Sequence, residues 1–387
     1  MKRLSGTFGI DPEADWVREH NAEVREVLEA YSEEKPIRVP LICDDSTIQH
    51  GIYSGEADVN YGVYHTDPDE MVRVQLEAAR YRRELPIYDL ELGVLPESWQ
   101  ITIDFWPVPA PGWLGCEVTY RDDASPVHHP LNLSRAQCDA MEMPDPYTGG
   151  MLKKTREFMD YIEKNWVGKE FLGRPIGPVH SGVSHNGLFS LALDVRGQEI
   201  LTDFYEDPEF AHRFLLKMAE WCDTLDKVWV DDPIFTRPYF RNTDHGIDML
   251  SAGMYEEFIL PVILEMNRRR GSSLPTGWHY CGNGMHLIRV FKRHYPLERL
   301  DDVTWPMLDL GEARRIVGDE VRIKGQISDG IVYNGPEELI RDTVKELMES
   351  GARGSGRFVL SVGDMIRGTP MAHREAYYQA VKEFGKY

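Results

Sequence analysis

The sequence predicts an α/β protein built as a parallel-stranded barrel, on three observations. Strand-like apolar runs alternate with amphipathic helical segments along most of the chain, the pattern of a parallel sheet. Residues of ligand type follow nearly every one of those runs, as they do where chemistry sits at the C-terminal ends of barrel strands. The 387 residues exceed one ordinary domain, yet no Gly/Ser-rich or Pro-rich linker divides them, and barrels of this kind reach such a length as single units.

The first element is an amphipathic, Glu-rich helix over 11–31, within an N-terminal extension of 1–34 ahead of a barrel over 35–387. Strand-like runs follow at Ile37–Cys43, Pro178–Ser184, Pro233–Phe240, Leu274–Tyr280, Arg299–Thr304, Val321–Ile327 and Phe358–Val362. Helix starts are marked between them. Asp67-Pro68-Asp69-Glu70 gives a cap, a proline at the first helical position and acids in the first turn, and Asp207-Pro208-Glu209 repeats the signal. Ser251 precedes a helix carrying Met254, Tyr255, Phe258 and Val262 on one face. Gly335-Pro336-Glu337-Glu338 opens another that Gly351 stops.

One segment breaks the rhythm. Residues 98–147 are rich in proline and hold Trp99, Phe105, Trp106, Trp113 and Tyr120, and WQITIDFW and CEVTYRDD resemble short antiparallel strands. They predict an inserted hairpin. It serves either as a packing cover over one end of the fold or as an aromatic lid whose Phe105, Trp106 and Trp113 meet a substrate.

Composition removes several function classes. Forty-three Lys and Arg against 64 Asp and Glu leave a net charge of −21. Such a chain is a poor nucleic-acid binder, because phosphate contacts need clustered cations, and a poor ligand for anionic membranes. No run of about 18 apolar residues spans a bilayer, and the N-terminus lacks the apolar core of a secretory signal. The five cysteines are scattered and odd in number, with no CxxC pair. They read as reduced thiols of a cytoplasmic protein.

The strand ends supply the candidate chemistry. Asp44 and Asp45 follow the first run; His185 and Asn186 follow HSGVS. Asn242, Asp244 and His245 follow TRPYF; Asp301, Asp302 and Trp305 lie in and after LERLDDVTW. Gln326 follows VRIKG, and Asp364 follows FVLSVG. The sharpest local feature is Trp278-His279-Tyr280-Cys281-Gly282-Asn283. In a strand, residues i and i+2 face the same way, so His279 and Cys281 would share a site, and imidazole plus thiolate is a zinc-type pair. A buried histidine and an inert cysteine at a strand end satisfy the same pattern.

HYCGN, the preceding SAGMYEEFILPVI, LALDVRGQEILTDFYEDPEF, and FVLSVGDMIRGTP leading to REAYYQAVKEFGKY resemble the uroporphyrinogen decarboxylase superfamily, from about residue 170 to the end, with a weaker match over 37–130. The resemblance implies a (β/α)8 barrel. It is nearer the zinc- and corrinoid-dependent methyltransferase branch, whose metal site reads His-x-Cys…Cys. His279 and Cys281 match its first two positions, and Asp364 stands where the late cysteine belongs; Asp302 and Cys43 are further candidates. The decarboxylase branch carries arginines for porphyrinogen carboxylates where this chain has RVPLICDDSTIQHG, whose aspartates would repel that substrate.

The activity implied is O-demethylation: a methyl group leaves a small methoxylated substrate, aromatic or aliphatic, for the Co(I) of a corrinoid on a separate protein, since this chain lacks a DxHxxG-type cobalamin signature. Asp44, His185, Asp244, His279 and Asp364 are the expected catalytic residues. Phe105, Trp106, Trp113, His245, Asn283 and Trp305 are expected to meet substrate, and His279, Cys281 and Asp364 to hold zinc. A homodimer follows by analogy. The alternative is a decarboxylase acting on a different carboxylic acid.

Overall fold

The computed structural model describes residues 7–43, 59–183, 185–231, 242–270, 276–279, 282–363 and 366–387. Its strands are β1 (Leu41–Ile42), β2 (Trp99–Thr102), β3 (Glu117–Thr119), β4 (Val127–His129), β5 (Glu170–Phe171), β6 (Arg174–His180), β7 (Asn242–Thr243), β8 (Gly277–His279), β9 (Arg299–Trp305), β10 (Arg322–Ile327) and β11 (Phe358–Ser361). A six-stranded parallel sheet runs β1-β11-β10-β9-β8-β7, and β2 pairs in parallel with β6. Together these eight strands give the strand order of a (β/α)8 barrel. The first strand lies beside the last, with Leu41 opposite Leu360 and Ile42 opposite Ser361.

The inserted segment differs from its expected form. WQITIDFW contributes β2, a barrel strand parallel to β6, with Ile101 opposite Val179. Its alternating apolar pattern suits a parallel or an antiparallel partner equally, and the partner lies some 75 residues downstream. The antiparallel hairpin is the smaller β3–β4 pair, in which Val118 faces His128.

Most helix starts form as their residues dictate. Asp67 accepts hydrogen bonds from the N–H groups of Asp69 and Glu70 at the head of the Pro68–Arg82 helix, and Asp207 caps the Pro208–Asp231 helix through Phe210 N–H at 3.0 Å. Ser251 caps through Met254 N–H at 3.2 Å. The helix it opens then widens into a π-turn over Tyr255–Ile259 before the α-helical Leu260–Arg270. Pro261 accounts for the widening, because it has no N–H to return to the carbonyl of Glu257.

The barrel wall follows the two-residue period of strands. In β8, Trp278 turns outward and stacks on Phe291 of the Met285–His294 helix, with ring centroids 4.2 Å apart and planes within 3°. His279 then takes the opposite face. Burying a tryptophan of this kind contributes enough that truncation to alanine costs about 3–5 kcal/mol.

Beneath β1, Arg38 makes a two-pronged contact with Asp89, at 2.8 and 2.6 Å. Asp89 also accepts from Leu41 N–H at 2.7 Å and from the Tyr378 hydroxyl at 2.8 Å. Glu23 of the Asp15–Ser32 helix takes Arg38 at 3.1 Å and Lys382 at 2.6 Å. One buried network therefore ties the first helix, the first strand and the last helix, Met371–Phe384. Among the described residues, no helix is long and apolar enough to cross a membrane, and no disulfide joins Cys43, Cys116, Cys138 or Cys222.

Candidate active site

The C-terminal ends of three adjacent strands bring together His279 (β8), Asp302 (β9) and Lys324 (β10). Asp302 reaches this position through a bulge. Asp301 pairs with Lys324 and Val303 with Gly325, so Asp302 is an extra residue without a partner across the ladder. Its φ of 63° is the left-handed conformation, which aspartate tolerates better than most residues. The bulge re-aims the carboxylate. Oδ2 lies 2.5 Å from Nδ1 of His279, and Oδ1 lies 2.5 Å from Nζ of Lys324.

All three side chains are half-buried. Burial alone would lift the Asp302 carboxyl, but the His279 and Lys324 contacts outweigh it and hold the group well below the usual carboxylate range. A neutral imidazole facing that carboxylate carries its hydrogen on Nδ1. Nε2 then keeps its lone pair for a proton or a metal. The His279 ring meets the His245 ring edge-on at 5.2 Å, and His245 meets Trp106 at 6.3 Å. Trp106, His245, His279, Asp302 and Lys324 thus form a continuous array across the strand ends.

Beside it, at the end of β6, Gly187 N–H donates to Nδ1 of His185 at 3.1 Å, and Nε2 lies 3.6 Å from Asp226. Burial disfavours the His185 cation, but Cys222 and Asp226 outweigh it and raise the pKa well above its ordinary value. Cys222 and Asp226 sit four residues apart on one helix face, so both reach the same imidazole.

Asp244 has a different setting. It is buried and accepts from Phe189 N–H at 2.7 Å, Ser190 N–H at 3.0 Å and the Ser190 hydroxyl at 2.8 Å. Burial lifts its pKa to about 6 against those donors. The carboxylate caps the Leu188–Arg196 helix and so ties the end of β7 to the helix that follows β6.

Residues 23–384 match the family described as Uroporphyrinogen decarboxylase (URO-D). The chain belongs to the URO-D family. Among curated relatives of this URO-D protein, the uroporphyrinogen decarboxylase of Trichodesmium erythraeum is 25% identical over 290 residues, covering 72% of this chain and 75% of that one. The enzyme of the same name from Crocosphaera subtropica is 22% identical over 324 residues, covering 81% and 86%. A solved structure of a methyltransferase from Methanosarcina mazei superposes with a TM-score of 0.62 at 18% identity, over 93% of this chain and 98% of that one. That likeness carries the (β/α)8 fold.

Within this URO-D barrel the expected site residues divide into groups. His279, His245 and Trp106 are brought together. His185 stands at a neighbouring strand end with partners of its own. Trp305 ends β9, half-buried, and its indole N–H has no partner among the described residues. Asn283 is exposed. Phe105 and Trp113 are fully buried, which corrects their expected place on the open face of a lid. Phe105 packs edge-on to Phe158 at 5.0 Å, and Trp113 meets Trp221 at 6.2 Å while donating to the carbonyls of Pro144 and Asp145. Asp44, Cys281 and Asp364 lie outside the described residues.

Lys324 was not singled out from the sequence. Its signal was a charge inside the otherwise apolar run VRIKGQI. Asp226 and Cys222 were hidden in a helix that only the fold brings against His185.

Proposed function

We propose that this URO-D family enzyme transfers a methyl group from a small methoxylated compound, methoxyarenes being the first class to test, to the Co(I) of a corrinoid on a separate protein, and that it acts as a homodimer. The observation that supports this reading most is the fixed orientation of His279. Asp302 holds the Nδ1 side of the imidazole and itself pairs with Lys324, and the ring lies edge-on to His245.

An alkoxide or phenolate leaves a methyl ether poorly unless its oxygen is protonated or bound to a Lewis acid. In the proposed step the carbon–oxygen bond breaks, its electron pair stays on oxygen, and protonated His279 gives that oxygen a hydrogen. Asp302 compensates the charge on the ring before the transfer, and Lys324 keeps Asp302 ionised. Trp106 and His245 supply faces against which a flat substrate can stack, a contact of about 0.5–1.5 kcal/mol beyond area burial.

His279 also suits a metal, since ligating imidazoles commonly hold a carboxylate on their second nitrogen. His279, Cys281 and Asp364 would then hold zinc, which would polarise the ether oxygen when bound. Among the described residues no group of three His, Cys, Asp or Glu side chains is placed to hold a metal ion.

The test is spectroscopic. Reduced corrinoid protein should lose its Co(I) absorbance only when enzyme and a methoxylated compound are both present. The His279→Ala variant should slow this by ~10²-fold or more. The name shared by the curated relatives favours a second reading, decarboxylation of another carboxylic acid. Carbon dioxide release without any corrinoid would establish that reading and end the first.

A further inference from the structure

A second polar cluster lies at the same end of the barrel, on the β1–β2 side, and does not depend on the methyl-transfer reading. Lys154, in the Gly150–Asn165 helix, projects over three aromatic rings. Its Nζ is 4.2 Å from the centroid of Tyr120, 5.0 Å from Phe105 and 5.7 Å from Phe158. It donates to the Tyr120 hydroxyl at 2.8 Å, and that hydroxyl points on to the Met151 sulfur at 3.4 Å.

Among the described residues no carboxylate lies within ion-pair distance of Lys154. The partly buried cations Arg38, Arg73, Arg80, Lys324 and Lys382 each have one. In a chain with 64 acids to 43 bases, an ammonium set among rings without an acid has unused donors. It loses hydration with one neutral hydroxyl and the quadrupoles of the rings in return.

His65 borders the same rings and is fully buried. Its ring lies 6.2 Å from Tyr120 and 6.4 Å from Phe105. Nδ1 is 2.7 Å from the carbonyl of Tyr61, which makes Nδ1 the donor, and Nε2 is buried with no partner among the described residues. A buried acceptor left open in this way is costly. One cationic donor, one hydroxyl and one open acceptor therefore surround an apolar wall.

We propose that Lys154, Tyr120 and His65 form a subsite for a small carboxylate that also carries a hydroxyl group. The ammonium and the Tyr120 hydroxyl take the carboxylate, Nε2 of His65 accepts the hydrogen of the hydroxyl, and the half-buried Tyr120 ring flanks the carbon skeleton. Phe105 and Trp106 are consecutive. The first turns toward Lys154 and the second toward His245, so the subsite adjoins the His279 array without sharing its residues.

The charged and titratable groups facing Lys154 among the described residues are Tyr120, His65 and, from its own helix, Glu157. Burial brings Lys154 down to about 8, pushes Tyr120 up to about 12 and, with Lys154 nearby, brings His65 down to about 4. Between pH 7 and 9.5 only the lysine among these three changes charge.

The probe is 4-hydroxybenzoate, titrated calorimetrically into the full chain at pH 7, with 4-hydroxybenzamide as its uncharged counterpart. Binding of the acid but not the amide is expected at pH 7, and binding of 3-hydroxybutyrate, whose hydroxyl keeps its hydrogen throughout, should weaken about 30-fold at pH 9.5 as a lysine titrating at about 8 discharges. Lys154→Met should weaken it at least 10-fold, Lys154→Arg should retain most of it, and His279→Ala should leave it unchanged. On the unaltered protein, the acid should slow trinitrobenzenesulfonate labelling of Lys154 at pH 8 by 5-fold or more. That measurement stands even where the methionine variant fails to fold. Equal binding of the amide, unaltered labelling of Lys154, or no heat with either 4-hydroxybenzoate or 3-hydroxybutyrate would overturn the proposal. None of these outcomes bears on methyl transfer, which is read from the cobalt.

Discussion

Asp302 is shared between two groups that it holds in opposite ways. It orients His279, and it pairs with the ammonium of Lys324. Asp302→Asn removes that ion pair from Lys324, and removing one member of such a pair costs about 3–5 kcal/mol. The double variant Asp302→Asn with Lys324→Met should recover most of that loss in urea unfolding while activity stays low. A double variant no more stable than the single would show that the pair is not coupled. His65 adds an acid sensitivity of its own. Burial lowers its pKa from 6.5 to about 4, so between those values the unfolded chain binds the extra proton. Stability is complete above pH 6.5 and falls as pH drops through the window, by about 3 kcal/mol for this group. His65→Phe should flatten the decline in urea midpoint between pH 7 and 4.5, and an unchanged decline would assign it to other groups.

Strand ends were the legible part of the site at the level of elements. An apolar run followed by a ligand-type residue marked β8, β9, β10 and β11 to within a few residues, because barrel strands are buried on both faces and read as continuous apolar stretches. Pairing was not legible. Nothing within WQITIDFW says that its partner is Arg174–His180 rather than a neighbouring hairpin strand. Nor could an aromatic count separate a lid from a core, and Phe105 and Trp113 went to the core because their rings had other rings to meet. Lys324 showed only as a charge in a buried strand, since its partner depends on a bulge in the preceding strand, at Asp302. The tie between β7 and the helix after β6 is tight enough to test. Gly187 sits at φ 118°, and a Cβ there would come within 2.4 Å of Asp244. Gly187→Ala should destabilise the fold by about 2 kcal/mol or more, from backbone strain together with displacement of the carboxylate. A denaturation midpoint equal to that of the unaltered protein would show that the seam can give way.

At the scale of the whole molecule, the Arg38–Asp89 network ties both ends of the chain to the first strand, and the net charge of −21 surrounds the result. That charge suits a soluble monomer as well as a dimer, so the homodimer is decided by mass. Light scattering should give about 89 kDa, twice the 44.5 kDa chain, and a value near one chain would end the dimer proposal. The bulge at Asp302 sets how this barrel could have arisen. Because the carboxylate occupies a residue that the neighbouring strand does not match, a chain with an uninterrupted ninth strand cannot acquire the contact by substitution. It needs one inserted codon, and deleting that codon, rather than replacing it, is the change that would return β9 to an unbroken ladder while erasing the support beneath His279.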